Sequence, residues 1–288
     1  ALAFAAGVGY LYRYQNDEYL ARTITRAANE SLRGRLEFGS LHWSPEALVE
    51  MAMGVPSRVV VEEFAAYDSQ GNRVVHAPRA EGKVDLYRLL LVGGDVIISG
   101  LEVTGAEVVV AQVPSGRPGE TMVGIADAFM AREPSPDDDS SFRLEFNDFD
   151  VKQTRLRLAF GPWSLELEGI NTRGDFRLPG SDVAATGMVI RQTSRVARGV
   201  MKVGERQLKV GQIRLQHVPG LPPTDLGIHL DTTVAGSAVK VRGTLGDLYG
   251  PKRRFALRTD VGGAQHIVRA FAGGLISERA PIEVAARI

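Results

Sequence analysis

Alternation of apolar and polar residues at every second position is the feature that most constrains this chain. It is clearest from Val59 to Val110, where alternating runs are separated by turn residues at Asp68–Asn72 and Gly93–Asp95. Successive side chains of a strand point to opposite faces, so each run predicts a strand with one apolar and one polar face. The segment is therefore predicted to be an antiparallel sheet that turns its polar face to water.

The same alternation continues in the second half of the chain. It is strong in Phe142–Asn147, Arg155–Phe160 and Trp163–Glu168. Weaker runs lie at 183–190, 202–208, 211–217, 227–234, 239–245 and 255–261. The sequence thus predicts a mainly β protein throughout.

Few helices are predicted to cover these strands. Residue spacing favours short helices at 16–34, 85–92, 123–132 and 264–276, with a brief helical or irregular connection near 44–54. They are too short to cover about fifteen strands of typical length. The apolar faces must therefore meet a second sheet, close into a barrel or hold an apolar ligand. The alternation alone does not choose between a sandwich core and a lipid-filled groove.

Composition argues against nucleic-acid binding and excludes chemistry that needs cysteine. The chain has 288 residues, with 34 Lys and Arg against 34 Asp and Glu, which is long enough for one large domain or two smaller ones. Its formal net charge of zero argues against general nucleic-acid binding, which needs a basic surface. Because the chain has no cysteine, disulfides and thiolate metal sites are excluded.

No catalytic or metal-binding motif is found. The five histidines, at positions 42, 76, 217, 229 and 266, are scattered without the spacing of a metal site. No nucleophile elbow, P-loop or dinucleotide-binding glycine motif follows a predicted strand. Asp137–Asp139 lacks the flanks of a calcium loop and is interpreted as part of a solvated loop. We therefore predict no enzyme, no metal and no cofactor.

The start of the chain resembles a membrane exit. An apolar run, Ala1–Gly9, is followed by residues typical of a membrane interface: Tyr10, Tyr12, Arg13 and Tyr14. The run is shorter than the ~20 residues that a spanning helix needs, so we interpret 1–15 as the end of a transmembrane anchor whose beginning precedes this numbering. A cleavable signal peptide and a buried core helix are the alternatives.

Four segments, in chain order, carry a resemblance to a known family. They are a strand ending in Gly39–Trp43, a hairpin at Tyr67–Ala77, a short helix at Val84–Leu90 before Gly93-Gly94-Asp95, and a strand pair at Ile97–Val110. Placed after a membrane exit and an amphipathic helix, this order resembles the N-terminal region of the AsmA-like proteins, the superfamily that includes TamB. The resemblance covers residues 1–113 and is architectural beyond them.

This resemblance implies a mainly β fold: a long, antiparallel, curled, taco-like sheet with an apolar concave groove, few short helices and an N-terminal membrane-exit helix. It implies a single-pass protein of the bacterial inner membrane, with the bulk of the chain in the periplasm. The groove would bind phospholipid and conduct it between the inner and outer membranes. Implied partners are phospholipid, the inner membrane and other envelope proteins, without nucleic acid.

The candidate groove-lining residues are the apolar members of the alternating runs. They are Val61, Ile97, Leu101, Val108, Val110, Phe142, Leu144, Phe146, Leu156, Leu158, Phe160, Trp163, Leu165 and Leu167. Without the resemblance, the same residues are expected to form the core of a β-sandwich, because alternating strands usually pack on protein. An anchored sandwich that serves envelope assembly as a scaffold or binding protein is thus the alternative function, and an enzyme acting on glycan or lipid is a second.

We expect five parts along the chain. They are the end of a transmembrane anchor at 1–15, an amphipathic capping helix at 16–34, a first β-groove unit at 35–132, a flexible link at 133–141 and a continuing β-groove at 142–288. The last residues, Glu283–Ile288, have the pattern of an interrupted strand. We therefore expect the native chain to extend beyond them.

Overall fold

A computed structural model gives the protein a mainly β architecture built around one large mixed sheet. It describes residues 22, 25–26, 29–30, 32–44, 46–85, 87–88, 95–114, 121–129, 143–178, 189–219, 226–246 and 254–263. The predicted membrane exit at 1–15, the link at 133–141 and the helix at 264–276 lie outside these residues. Most of the predicted helices at 16–34 and 85–92 lies outside them as well.

Among the residues listed above, sixteen strands belong to the sheet. They are β1 Arg35–Glu37, β2 Ser40–Trp43, β3 Ser57–Tyr67, β4 Arg73–Val84, β5 Asp95–Thr104, β6 Glu107–Pro114, β7 Thr121–Val123, β8 Arg143–Phe160, β9 Trp163–Leu178, β10 Val189–Val196, β11 Arg198–Val203, β12 Arg206–Val210, β13 Ile213–Pro219, β14 Leu226–Val234, β15 Ser237–Gly246 and β16 Arg254–Gly262. The short helices whose bounds lie within the described residues are α1, Ala47–Ala52, and α2, Gly124–Phe129. Both lie within segments where the sequence predicts helical structure.

Several short strands continue one another and act as single long strands. β10 and β11 pair with successive parts of β9. On their other side, β10 pairs with β13 and β11 pairs with β12. From β8 to β16 the sheet is thus an up-and-down meander. The predicted single run at 202–208 is wrong, because a turn at Gly204–Glu205 separates β11 from β12.

One junction corrects the prediction of a purely antiparallel sheet. β5 and β6 both pair with β8 in parallel, with Val96 beside Leu144 and Val108 beside Leu156. Antiparallel neighbours can be joined by a tight turn, whereas parallel neighbours need a crossover connection. Here the chain between β6 and β8, which includes β7 and α2, supplies that crossover. The strands of 35–114 and of 143–262 therefore form one continuous sheet.

A line of irregular backbone, which we call the seam, crosses the sheet near the middle of its long strands. It comprises Gly39, Glu63, Pro78, Gly105, Gln153, Gly169, Ala197 and Gly211. Glu63, Gly105, Gln153 and Gly169 all have positive φ. These positions are neighbours across the strands. A Cβ built on Gly39 would lie 2.8 Å from the Glu63 Cβ, and a Cβ built on Gly169 would lie 2.9 Å from the Ala197 Cβ.

The seam shifts the phase of the alternation. In β8, Phe149 and Val151 precede Gln153, whereas Leu156 and Leu158 follow it, so the apolar positions change from odd to even numbers. A one-residue slip would send every later side chain to the other face. A β-bulge inserts one extra residue and restores the original face, while bending the strand. The seam therefore keeps the apolar residues of each long strand on one side.

A small core closes the N-terminal edge of the sheet. Leu36, Ala66, Val74 and Ala128 are buried against one another, which places α2 over β1, β3 and β4. A Cβ on Gly34 would collide with the carbonyl oxygen of Tyr67, so the backbone approaches too closely there for any side chain. Asn29 extends this edge, because its Oδ1 accepts from the Leu36 amide at 2.7 Å and its Nδ2 donates to the Leu36 carbonyl at 3.1 Å.

The carboxylate of Asp127 in α2 is fully buried within this core. Its Oδ2 accepts a hydrogen bond from the Ser69 amide at 2.8 Å, and its Oδ1 lies 3.1 Å from the Arg33 guanidinium. The cation and the amide donor compensate the buried charge, and removal of the carboxylate deprives the Ser69 amide of its acceptor and Arg33 of this counter-ion.

Asp127→Ala is therefore expected to lower the free energy of unfolding by about 2–4 kcal/mol. Urea denaturation followed by circular dichroism measures it. Asp260→Ala is the matched control, because Asp260 is exposed and its ion pair with Arg258, at 3.3 Å, is exposed too. That change should stay within about 0.5 kcal/mol. Equal effects of the two substitutions would show that Asp127 does not hold α2 on the sheet.

Candidate functional site: a continuous apolar sheet face

Residues that pair across neighbouring strands lie on the same face of a sheet. The register therefore connects apolar side chains into rows that run from strand to strand. One row contains Val75, Val108, Leu156, Leu167, Gly199, Val210 and Val234. The next contains Val110, Leu158, Leu165, Met201 and Leu208. We call the surface formed by these rows and their continuations the apolar face.

Most of the predicted lining residues lie on this face. The described members are Val61, Leu101, Val108, Val110, Phe146, Leu156, Leu158, Phe160, Trp163, Leu165 and Leu167. Val61 joins them through Ala80, which pairs with Val103. Phe142 lies outside the described residues, and only the backbone of Leu144 is described, with Leu144 opposite Leu178.

Ile97 is the exception, and its predicted position is corrected. It pairs with Glu145, whose carboxylate lies 2.7 Å from Arg177 on the opposite face. Its neighbour Ile98 takes the apolar position instead, since it pairs with Val84 and Phe146. A Cβ on Gly82 would meet Ile98 Cγ2 at 3.0 Å and Leu101 Cδ1 at 3.7 Å. Val96, Ile97 and Ile98 are consecutive β-branched residues, so alternation within them does not reveal the face.

Further apolar residues complete the face in the second half of the sheet. Ile170, Val196, Met201, Val210, Ile213 and Leu230 pack together with Leu156, Leu165 and Leu167. This packing crosses the seam, because Leu167 and Ile170 lie on either side of Gly169. The weaker alternating runs contain most of these residues. Because the alternation shifts by one residue at the seam, the sequence alone did not show that they lie on one face.

The opposite face is charged and carries most of the described ion pairs. Arg58 lies 2.6 Å from Glu81, Lys152 lies 2.9 Å from Asp150, and Arg242 lies 2.7 Å from Asp231. Exposed pairs of this kind contribute about 0–1 kcal/mol each. Their main consequence is a face that favours water, which we call the polar face.

Side chains in the middle of the apolar face are only half-buried. Val110, Leu158, Phe160 and Leu165 all retain partial solvent exposure, and Trp163 is 38% exposed. Phe160 and Trp163 stack with ring centroids 5.1 Å apart, and Phe146 lies 6.1 Å from Phe176. Residues in the core of a sandwich would be buried from both sides. These side chains are only partly covered, whereas Leu167 and Val210 on the same face are buried.

Polar groups interrupt the face only locally. The Thr172 hydroxyl donates to the Ser194 hydroxyl at 2.9 Å, and Gln192 pairs with His217 in the register. Among the described residues, the His217 Nδ1 is buried without a hydrogen-bond partner. Burial lowers the pKa of the His217 imidazole from its ordinary value of 6.5, since an apolar environment disfavours the charged form.

The comparisons with known proteins assign no family to this arrangement. No protein-family model matches the chain, and a search among curated proteins found no match either. Within the part of the chain that the structure describes, no helix is long and apolar enough to cross a membrane. The same residues contain no group of three or more carboxylate, histidine or cysteine side chains that could hold a metal ion.

The lowered pKa of His217 predicts a pH-dependent stability. Below about pH 6.5 the unfolded chain binds a proton on this imidazole more readily than the folded chain does, so stability falls as the solution is acidified. His217→Gln should remove that part of the loss between pH 7.5 and pH 5. Urea denaturation at both pH values measures it, with His229→Gln, an exposed histidine on the polar face, as the control. If both variants keep the wild-type loss, the His217 imidazole is not buried as described.

Proposed function

We propose that this protein binds phospholipid acyl chains along its apolar face and conducts them between the two membranes of a bacterial envelope. The observation that carries this proposal is the continuity of the apolar face across the sheet, together with its half-buried side chains. Each methylene group kept out of water contributes about 0.8 kcal/mol. A long apolar strip therefore lets acyl chains shift along it without exposure to water.

The register shifts along the seam favour a groove over a flat surface. Side chains on both sides of Gly169 contact one another on the apolar face, as expected where a strand bends toward that face. Bulges are the usual means of bending strands in curved sheets. In this proposal the seam forms the floor of a taco-like concave groove, and the polar face lies outside in water.

Membrane anchoring and location are part of the same proposal and rest on the sequence. The apolar run with its following tyrosines and Arg13 favours an inner-membrane anchor, with the sheet in the periplasm. Lipids would enter near Tyr10–Tyr14 and move passively along the groove. No reaction chemistry is needed for this role, and the resemblance to AsmA-like proteins agrees with it. Other envelope proteins would receive or deliver the lipid.

Leu165→Glu tests the groove directly. Leu165 lies on the apolar face between Leu158 and Met201, so a carboxylate there should exclude the acyl chains that, in this proposal, contact Leu165. Burial of a leucine side chain contributes about 1.5–3 kcal/mol, which corresponds to at least a tenfold loss of bound lipid. Extraction of the purified protein followed by mass spectrometry measures phospholipid per chain, and circular dichroism reports the fold.

Ser164→Glu is the matched control. It introduces the same charge one residue away on the polar face, opposite Lys202, and should leave lipid content and fold unchanged. If the wild-type protein carries no stoichiometric lipid and Leu165→Glu unfolds it, the apolar face is a sandwich core. An unpaired buried charge is severely destabilising in such a core. The scaffold function would then replace the proposal.

A further inference from the structure

A group of arginines on the polar face lacks the ion pairs found elsewhere on that face. Arg173, Arg191, Arg195 and Arg214 lie on the neighbouring strands β9, β10 and β13, and all four are exposed. Among the described residues none of them forms an ion pair or a side-chain hydrogen bond. By contrast, Arg177 on β9 pairs with Glu145, and Arg198 on β11 pairs with Glu168.

The register brings these arginines close together. Arg195 pairs directly with Arg214, and residues opposite each other on antiparallel strands have Cβ atoms about 4.5–5.5 Å apart. Arg173 pairs with Thr193, the residue between Arg191 and Arg195. Like charges directly opposite each other destabilise a sheet, so this arrangement does not serve the stability of the fold.

The nearest carboxylates are engaged with other groups. Asp231 pairs with Arg214 in the register, but its Oδ1 lies 2.7 Å from Arg242. Asp150 is opposite Arg173, and its carboxylate lies 2.9 Å from Lys152. Asp175 is opposite Arg191, and its Oδ1 accepts from the Asp148 amide at 3.0 Å. Asp148 lines the same cleft as Arg173, Arg191 and Asp175. Four arginines without an ion pair therefore face two such carboxylates, Asp148 and Asp175, and an excess of positive charge remains.

The arginines line three adjoining clefts on the polar face. Arg195 and Arg214 border the largest, with a volume of about 720 Å³, which lies along the seam. Arg173 and Arg195 border a second of about 220 Å³, and Arg173 and Arg191 border a third of about 360 Å³. Because Arg173 and Arg195 are each shared between two clefts, the three form one continuous depression. The amide side chains of Asn171 and Gln212 also line it, as do the carboxylates of Asp148, Asp150, Asp175 and Asp231.

We propose that this depression is a binding site for a phosphorylated ligand with several negative charges. Guanidinium groups bind phosphate oxygens in bidentate geometry, and four unpaired ones within one depression suit a polyanion better than a single carboxylate. The ligand's phosphates are either phospholipid head groups or a soluble phosphate compound. The site lies on the face opposite the proposed groove, so it is independent of acyl-chain binding.

Isothermal titration of the full chain with inorganic tripolyphosphate at low salt tests the site. We expect saturable binding that weakens at least tenfold in the variant R195Q/R214Q and that falls as salt increases. The control R206Q/K209Q also removes two positive charges, but from exposed positions of β12 outside the depression. It should change the affinity less than twofold. Because R195Q/R214Q loses a like-charge pair, its unfolding midpoint should be unchanged or raised. That result would exclude misfolding as the cause of the weaker tripolyphosphate binding.

Parallel measurements identify the source of the phosphate. Flotation with phosphatidylglycerol vesicles that depends on Arg195 and Arg214 assigns the site to lipid head groups, whereas tripolyphosphate binding without flotation assigns it to a soluble phosphate compound. The absence of saturable tripolyphosphate binding would overturn the proposal. Equal weakening by both variants would also overturn it, and so would a poly-glutamate peptide that binds as tightly as tripolyphosphate.

Discussion

Backbone pairing register is the constraint on which this structure depends. Once Leu156 pairs with Val108 and Leu167, every second residue of three strands is committed to one face. In a strand as long as β8, Arg143–Phe160, an uninterrupted alternation would require an apolar residue at every second position over its whole length. The seam relaxes this requirement by inserting an extra residue in each long strand. The same insertions that keep burial on one face are also expected to bend the strands.

The two faces of the sheet have different energetic roles. The apolar face stabilises the fold through neighbouring side chains such as Leu167, Val196 and Ile213, yet it leaves others partly open to whatever binds there. The polar face contributes little through its exposed ion pairs. Its arginine-lined depression even accepts a like-charge pair at Arg195 and Arg214. Both faces thus carry features that stability alone does not explain and that ligand binding would.

Two buried carboxylates, Asp68 and Asp127, fix the geometry of the N-terminal edge. Asp127 holds α2 against the β3–β4 turn, and Asp68 accepts hydrogen bonds from the Gln70 and Asn72 amides within that turn. Asn29 pairs with the backbone of Leu36 in the manner of an additional strand residue. An edge strand with free backbone groups invites pairing with other chains. These contacts make one end of the sheet a defined terminus.

The amino-acid sequence by itself determined the mainly β class, the two helical segments near α1 and α2, and the apolar positions of the strongest runs such as Leu156–Phe160. Those properties follow from side-chain periodicity, which is local. Only the tertiary structure decided the parallel pairing of β5 and β6 with β8, because a crossover depends on contacts far apart in sequence. It also decided that Ile98 rather than Ile97 joins the apolar face, and that the phase shifts at Glu63, Gln153 and Gly169 keep one face apolar. A bulge is visible only in the pairing with a neighbouring strand, so no single strand's sequence could reveal it.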